Sequence, residues 1–284
     1  MLEVIQDTLI DSIKLLPFLF IAYLIMEYIE HKISDKSKEK IQKSGKFGPF
    51  FGSLLGIFPQ CGFSVAATNL YAARIITLGT LISVYLSTSD EMLPILISEA
   101  APFNVIITIL AIKFILGMLY GFIIDLVLRI KNKNKENEDK IIDLCENEHC
   151  HCEESILKSA IKHTLSVFAY ILILTFIINT IIWIVGEEAI KGFMANTGII
   201  EPIIASLIGL IPNCAASVII TELYLSEIIS FGSIIAGLMV NAGAGLLMLF
   251  RINKNIKENL GIVILLYILG AITGILINLI GVSL

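Results

Sequence analysis

Residues 56–65 read GIFPQCGFSV, and residues 209–218 read GLIPNCAASV. Each stretch sets a proline, an amide and a cysteine where the surrounding sequence is apolar enough for an unbroken membrane helix. Proline in a helix interior removes a backbone hydrogen bond and clashes with the turn before it, at a cost of about 3 kcal/mol or more. In lipid the freed carbonyls find no water, so such a break persists only where protein or a wet cavity surrounds it. Pro59 and Pro212, followed by Gly62 and by Ala215, therefore predict two broken helices around a shared cavity.

The rest of the chain agrees with a membrane setting. Of its 284 residues 56% are hydrophobic and 16% charged. A bilayer core of about 30 Å takes roughly 20 helical residues. Uncharged runs of that order recur at Phe47–Ala73, Leu165–Val185, Ile203–Thr221, Ile228–Phe250 and Leu260–Leu284. A soluble core does not need uncharged runs of this length. The expected class is an all-α polytopic membrane protein. The N-terminal stretch MLEVIQDTLIDSIKLLPFLF starts acidic, without a basic region or a small-residue cleavage site, and does not read as a signal peptide.

The two Pro-Cys stretches belong to a longer duplication. Pro212 follows Pro59 by 153 residues, and at that offset Gly56, Cys61, Ser64, Val65, Thr68, Leu70 and Tyr71 all meet identical residues. Chance matching of Leu and Ile does not reproduce Gly-x-x-Pro-x-Cys-x-x-Ser-Val followed by Thr-x-Leu-Tyr.

Lysine and arginine set the expected orientation. Six lysines lie in 31–47, a second group runs from Arg129 through Lys140, and Arg251, Lys254 and Lys257 form a third. The positive-inside rule places these loops in the cytoplasm. The segment 186–202, with three glutamates and one lysine, reads as external. The first span then runs inward and the span near 156–185 outward. The expectation is two inverted-topology repeats with broken or re-entrant helices, about ten helical segments in all, and both termini outside the plasma membrane. Residues 1–130 form the first repeat, 131–155 a cytoplasmic linker and 156–284 the second repeat.

The residues beside the breaks are the candidate binding set: Gln60, Cys61, Ser64 and Asn69 from one half, Asn213, Cys214, Ser217 and Glu222 from the other. The next segments interrupt too, at Ser87, Thr88, Ser89, Asp90 and Glu91, and at Asn241. Carboxylates inside a membrane segment are costly and usually face a pathway or a partner. Asp90 and Glu91 equally fit the cap of a helix at the membrane surface, and Glu222 fits helix packing. Buried cysteines are common packing residues as well. Lys113 and Asp125 carry no assigned role.

The linker CENEHCHCEE, residues 145–154, offers Cys145, His149, Cys150, His151 and Cys152. Thiolates and imidazoles at this density suit Zn²⁺, Cu⁺ and other thiophilic metals, and point to a reducing compartment. A solvated acidic tether is the plainer alternative. No G-x-x-x-x-G-K-[ST] motif occurs, so nucleotide-driven transport has no sequence support. A membrane enzyme would need a nucleophile–base set, and His163 is the sole histidine near the apolar segments. A channel could use the same fold. The expected partners are the bilayer, a metal or metalloid substrate and a coupling proton. A homo-oligomer fits the pattern, nucleic acid does not, and no cofactor is required.

Taken together, FPQCGFS, LSTSDEMLPILIS, the Cys/His-rich linker and IPNCAASVIIT resemble the ten-helix heavy-metal exporter family, over nearly the whole chain. Members carry labels such as arsenic efflux protein or manganese transporter. The resemblance implies secondary-active export of a heavy-metal ion from the cytoplasm by alternating access. The oxygen ligands Asp90, Glu91 and Glu222 favour a divalent ion such as Mn²⁺, whereas Cys61 and Cys214 would favour trivalent arsenic or an organoarsenical.

Overall fold

The computed structural model describes residues 45–132, 156–185 and 200–281, with scattered helical positions between residues 5 and 24. The 145–152 cluster, the 31–44 lysines and most of the 186–202 segment lie outside the described residues.

The first half contains α1 (Gly48–Gly56), α2 (Gly62–Ala72), α3 (Leu78–Ser87), α4 (Met92–Ser98) and the long α5 (Phe103–Asn132). After α6 (Ile156–Val185) come α7 (Glu201–Gly209), α8 (Cys214–Leu225), α9 (Phe231–Val240), α10 (Ala244–Ile252) and α11 (Ile256–Ile280). Shifting α1, α3 and α5 by 153 residues lands on the starts of α7, α9 and α11. The expected breaks are real. α1 ends at Gly56, three residues ahead of Pro59, and α7 ends at Gly209, three ahead of Pro212. The second interruptions separate α3 from α4 at 88–91 and α9 from α10 at 241–243.

The local causes repeat as well. Thr77 caps α3 by accepting from the Thr80 N–H at 3.1 Å, and Ser230 caps α9 by accepting from the Ser233 N–H at 3.3 Å. One residue in the left-handed region closes each preceding turn: Arg74 at φ 60° and Glu227 at φ 57°. A carboxamide or carboxylate from the long helix then meets the start of the central helix. Asp125 accepts from the Gly79 N–H at 2.9 Å, and Asn278, at the equivalent position, accepts from the Gly232 N–H at 3.0 Å.

Burial sorts the helices into a centre and a perimeter. Every residue from Gly79 to Ser87 is buried, as is every residue from Phe231 to Val240. α5 and α11 instead expose apolar stripes, Ile115, Leu119 and Phe122 on one and Leu260, Ile264, Ile268 and Ile272 on the other. Surface of this kind is stable against lipid chains and not against water. Among the described residues four stretches are long and apolar enough to cross a membrane: Phe103–Lys131, Ala160–Ile181, Phe231–Ile252 and Ile256–Ile280. The chain is an all-α, multi-pass membrane protein.

Small residues let the central helices approach their neighbours. A side chain at Gly79 would collide with the Gly121 carbonyl, and one at the equivalent Gly232 with the Gly274 carbonyl. The halves also clasp one another reciprocally. α10 packs on α2, and its counterpart α4 packs on α8. Arg74 adds an asymmetric tie, its guanidinium donating to both oxygens of Glu258 at the start of α11, at 2.8 and 2.9 Å.

Candidate functional site

The two breaks bring the two cysteines together. Cys61 stands at the start of α2 and Cys214 is the first residue of α8, both buried. Their sulfur atoms are 3.8 Å apart although 153 residues separate them in sequence. Two thiolates on one tetrahedral metal, with bonds of about 2.3 Å, would lie about 3.8 Å from each other. The pair borders a cavity of about 10 Å³, the space of a single water, together with Ser12, Leu15, Thr175, Pro212, Asn213 and Ala244.

The second interruptions reach the same place. Asp90 (φ 24°) and Gly243 (φ 52°) are equivalent positions, both in the left-handed half of the backbone map. A Cβ on Gly243 would sit 2.7 Å from Oδ2 of Asp90 and 3.3 Å from Cβ of Cys61. The Asp90 carboxylate and the Cys61 side chain therefore both border the space beside the Gly243 α-carbon, which a larger residue would fill. Asn241 accepts from the Gly243 N–H at 3.0 Å, while its buried Nδ2 has no hydrogen-bond partner among the described residues.

The other expected lining residues are placed less directly. Ser64 and Ser217 donate their hydroxyls to the carbonyls of Cys61 and Cys214, each at 2.7 Å, and so stitch the first turn of each helix. Ser87, Thr88 and Ser89 likewise donate to carbonyls of their own segment, and the Ser89 N–H closes on the Gly56 carbonyl at 3.1 Å. Asn213 donates to Asn179 of α6, which donates in turn to Thr8 at 2.9 Å. Asn69 is buried and donates to the Val65 carbonyl. Gln60 and Glu91 are half-buried at the edges of the breaks, Pro212 is half-buried and Pro59 is exposed. Glu222 is half-buried on α8, eight residues beyond Cys214. At 1.5 Å per residue that is about 12 Å along the helix from the thiols.

Lys113 is the residue that sequence reasoning passed over. It is fully buried, and its ammonium donates to the Thr88 carbonyl at 2.5 Å and the Leu238 carbonyl at 2.7 Å. A lone lysine in the middle of an apolar run was the visible signal. Tyr85 and Thr68 were not singled out either. Their hydroxyls bond at 2.6 Å, and Tyr85 reaches the Gly245 carbonyl at 3.1 Å, fixing α3 and α2 to α10.

Among the described residues no group of three or more His, Cys, Asp or Glu side chains converges as a metal centre. The site offers two sulfurs, with a carboxylate and an amide close by. A cargo ion needs ligands strong enough to strip its water and few enough to let it leave.

The model of a family described as "Putative, 10TM heavy-metal exporter" matches residues 1–186 and 156–283. No curated protein and no solved structure matches the chain.

Proposed function

Because the chain belongs to this heavy-metal exporter family, we propose that it is a secondary-active carrier that moves a thiophilic metal ion out of the cytoplasm through the Cys61–Cys214 gap. The observation that carries this reading is the 3.8 Å approach of two thiols at equivalent breaks. It departs from the Mn²⁺ preference expected from the sequence, because Glu222 stands a helix turn or more away from the sulfurs while thiolates select soft ions. Trivalent arsenic, also thiophilic, is the second reading that the same sulfur pair supports.

The reciprocal packing of equivalent helices supports inverted repeats on either side of one site, joined by the 131–155 linker. The cavity beside the thiols has room for about one water, which suits a single small ion. Thiols release protons when they bind metal, which makes a proton the coupling ion that this site would use. In this reading the linker cluster tunes metal supply, both termini lie outside, and the only metal needed is the cargo.

Uptake into inside-out vesicles, with Mn²⁺, Zn²⁺, Cd²⁺ and arsenite offered separately with and without a pH gradient, tests the proposal. Thiophilic ions should accumulate, and the double change Cys61→Ser with Cys214→Ser should lower that flux at least about tenfold, as expected when a soft ligand becomes a hard one. Preferential Mn²⁺ uptake that survives the serine changes and vanishes with Glu222→Gln would overturn it.

A further inference from the structure

Close approaches along the helices fix the direction in which each one runs. Side chains at Gly48, Gly52 and Gly56 of α1 would meet Thr80, Ser83 and Ser87 of α3 in turn, so α1 and α3 are parallel and begin at the same face. The intervening α2 therefore returns from the break at Cys61 to that face. α5 ends there as well, because Asp125 reaches Thr77 and Gly79, and so does the turn before α11, because Glu258 meets Arg74. Arg129, Lys131, Arg251, Lys254 and Lys257 thus gather on one face, which the positive-inside rule assigns to the cytoplasm.

The seam between α2 and α10 joins the two halves and leads from Cys61 to this face. Near the thiols it is tied by Tyr85 and Thr68, whose hydroxyls reach the Gly245 carbonyl at 3.1 and 3.2 Å. At its outer end Arg74 holds both oxygens of Glu258, Tyr71 donates to the same carboxylate, and the guanidinium lies 5.2 Å from the Tyr71 ring centre. The duplication repeats neither tie at the opposite seam, between α4 and α8. There Leu238 stands for Tyr85, Met92 for Gly245, Glu227 for Arg74 and Val105 for Glu258. The two seams are equivalent in frame and unequal in what fastens them.

We propose that the Arg74–Glu258 pair, with Tyr71, is a latch that holds the seam shut on the lysine-rich face and parts when the carrier opens to that face. The inference rests on the alternating-access part of the reading above and not on the identity of the cargo. Alternating access between inverted repeats is a rocking of one half against the other, and the latch joins one half to the other. A two-pronged, charge-assisted contact is among the stronger polar ties. Arg74 and Glu258 are 25% and 21% exposed, so water reaches both once they part, which spares the penalty of a fully buried pair. The eleven residues of α2, about 16 Å of helix, carry Cys61 at one end and the latch at the other. Glu258 is not needed to start α11, because Asn255 caps that helix by accepting from the Glu258 N–H at 3.3 Å.

Opening is read by the rate at which an impermeant thiol reagent reaches Cys61 and Cys214, in the full-length protein with Cys145, Cys150 and Cys152 replaced by serine. Inside-out vesicles present the lysine-rich face to the reagent, and right-side-out vesicles the opposite one. Arg74→Gln and Glu258→Gln should each raise the rate from the lysine-rich face at least about fivefold, the shift that the loss of one such coupling contact gives. Neither should raise it from the opposite face. Both changes break one pair, so the double variant should gain little over the larger single effect. An unchanged rate in both single variants, an equal rise from both faces, or full additivity in the double variant would each overturn the inference. Labelling is blind to the cargo. A wild-type protein that moves none of the offered metals, while its variants show the one-sided rise, would overturn the metal reading and support the latch.

Discussion

The Asp90 carboxylate lies against the α-carbon of Gly243, its counterpart in the other half of the chain, so closely that a Cβ there would stand 2.7 Å from Oδ2. Gly243 also holds φ 52° and ψ −139°. Residues other than glycine pay about 1–3 kcal/mol in such regions. Gly243→Ala should therefore lower stability by that order and close the space between Asp90 and Cys61. The measurement is metal binding and thermal denaturation of the detergent-solubilised variant. Wild-type affinity in a folded Gly243→Ala protein would show that the gap is not part of the site.

The pairing of Asp125 with Asn278 offers a substitution already present in the molecule. Asn278 accepts from the Gly232 N–H and donates to Ser230 at 2.9 Å, where Asp125 accepts from the Gly79 N–H and from the Thr77 hydroxyl at 2.7 Å. Asp125→Asn should remain within about 1 kcal/mol of wild type, because an amide can keep both contacts. Asp125→Leu removes the acceptor, strands a buried N–H and should cost about 1–3 kcal/mol. Thermal denaturation of both variants checks this, and equal destabilisation by Asn and Leu would contradict it.

Much of this frame was legible in the sequence, for reasons that differ from residue to residue. Pro59 and Pro212 marked the breaks because proline cannot donate a helical hydrogen bond, and lipid cannot replace it. The 153-residue offset predicted that equivalent elements would recur, and α1, α3 and α5 do recur as α7, α9 and α11. The distance between Cys61 and Cys214 was not legible, since nothing local encodes how two halves meet. Ser64 and Ser217 looked like lining residues by composition, yet each spends its hydroxyl on a carbonyl one turn back. Lys113 went unassigned because its acceptors, Thr88 and Leu238, lie 25 and 125 residues away.

The lysine-rich segments predict an orientation that can be tested. With the native cysteines replaced by serine, a cysteine introduced at Asn132, the last residue of α5, should resist an impermeant thiol reagent in intact cells and react in inside-out vesicles. Labelling from outside in intact cells would reverse the assignment and place both termini in the cytoplasm.

The central claim, that Cys61 and Cys214 share one metal ion, is tested most directly by X-ray absorption spectroscopy of the Zn²⁺-loaded protein with Cys145, Cys150 and Cys152 replaced by serine. The account predicts two sulfur neighbours at about 2.3 Å, lost when Cys61 and Cys214 also become serine. A shell of nitrogen and oxygen alone at about 2.0–2.2 Å, unchanged by those last two substitutions, would contradict it.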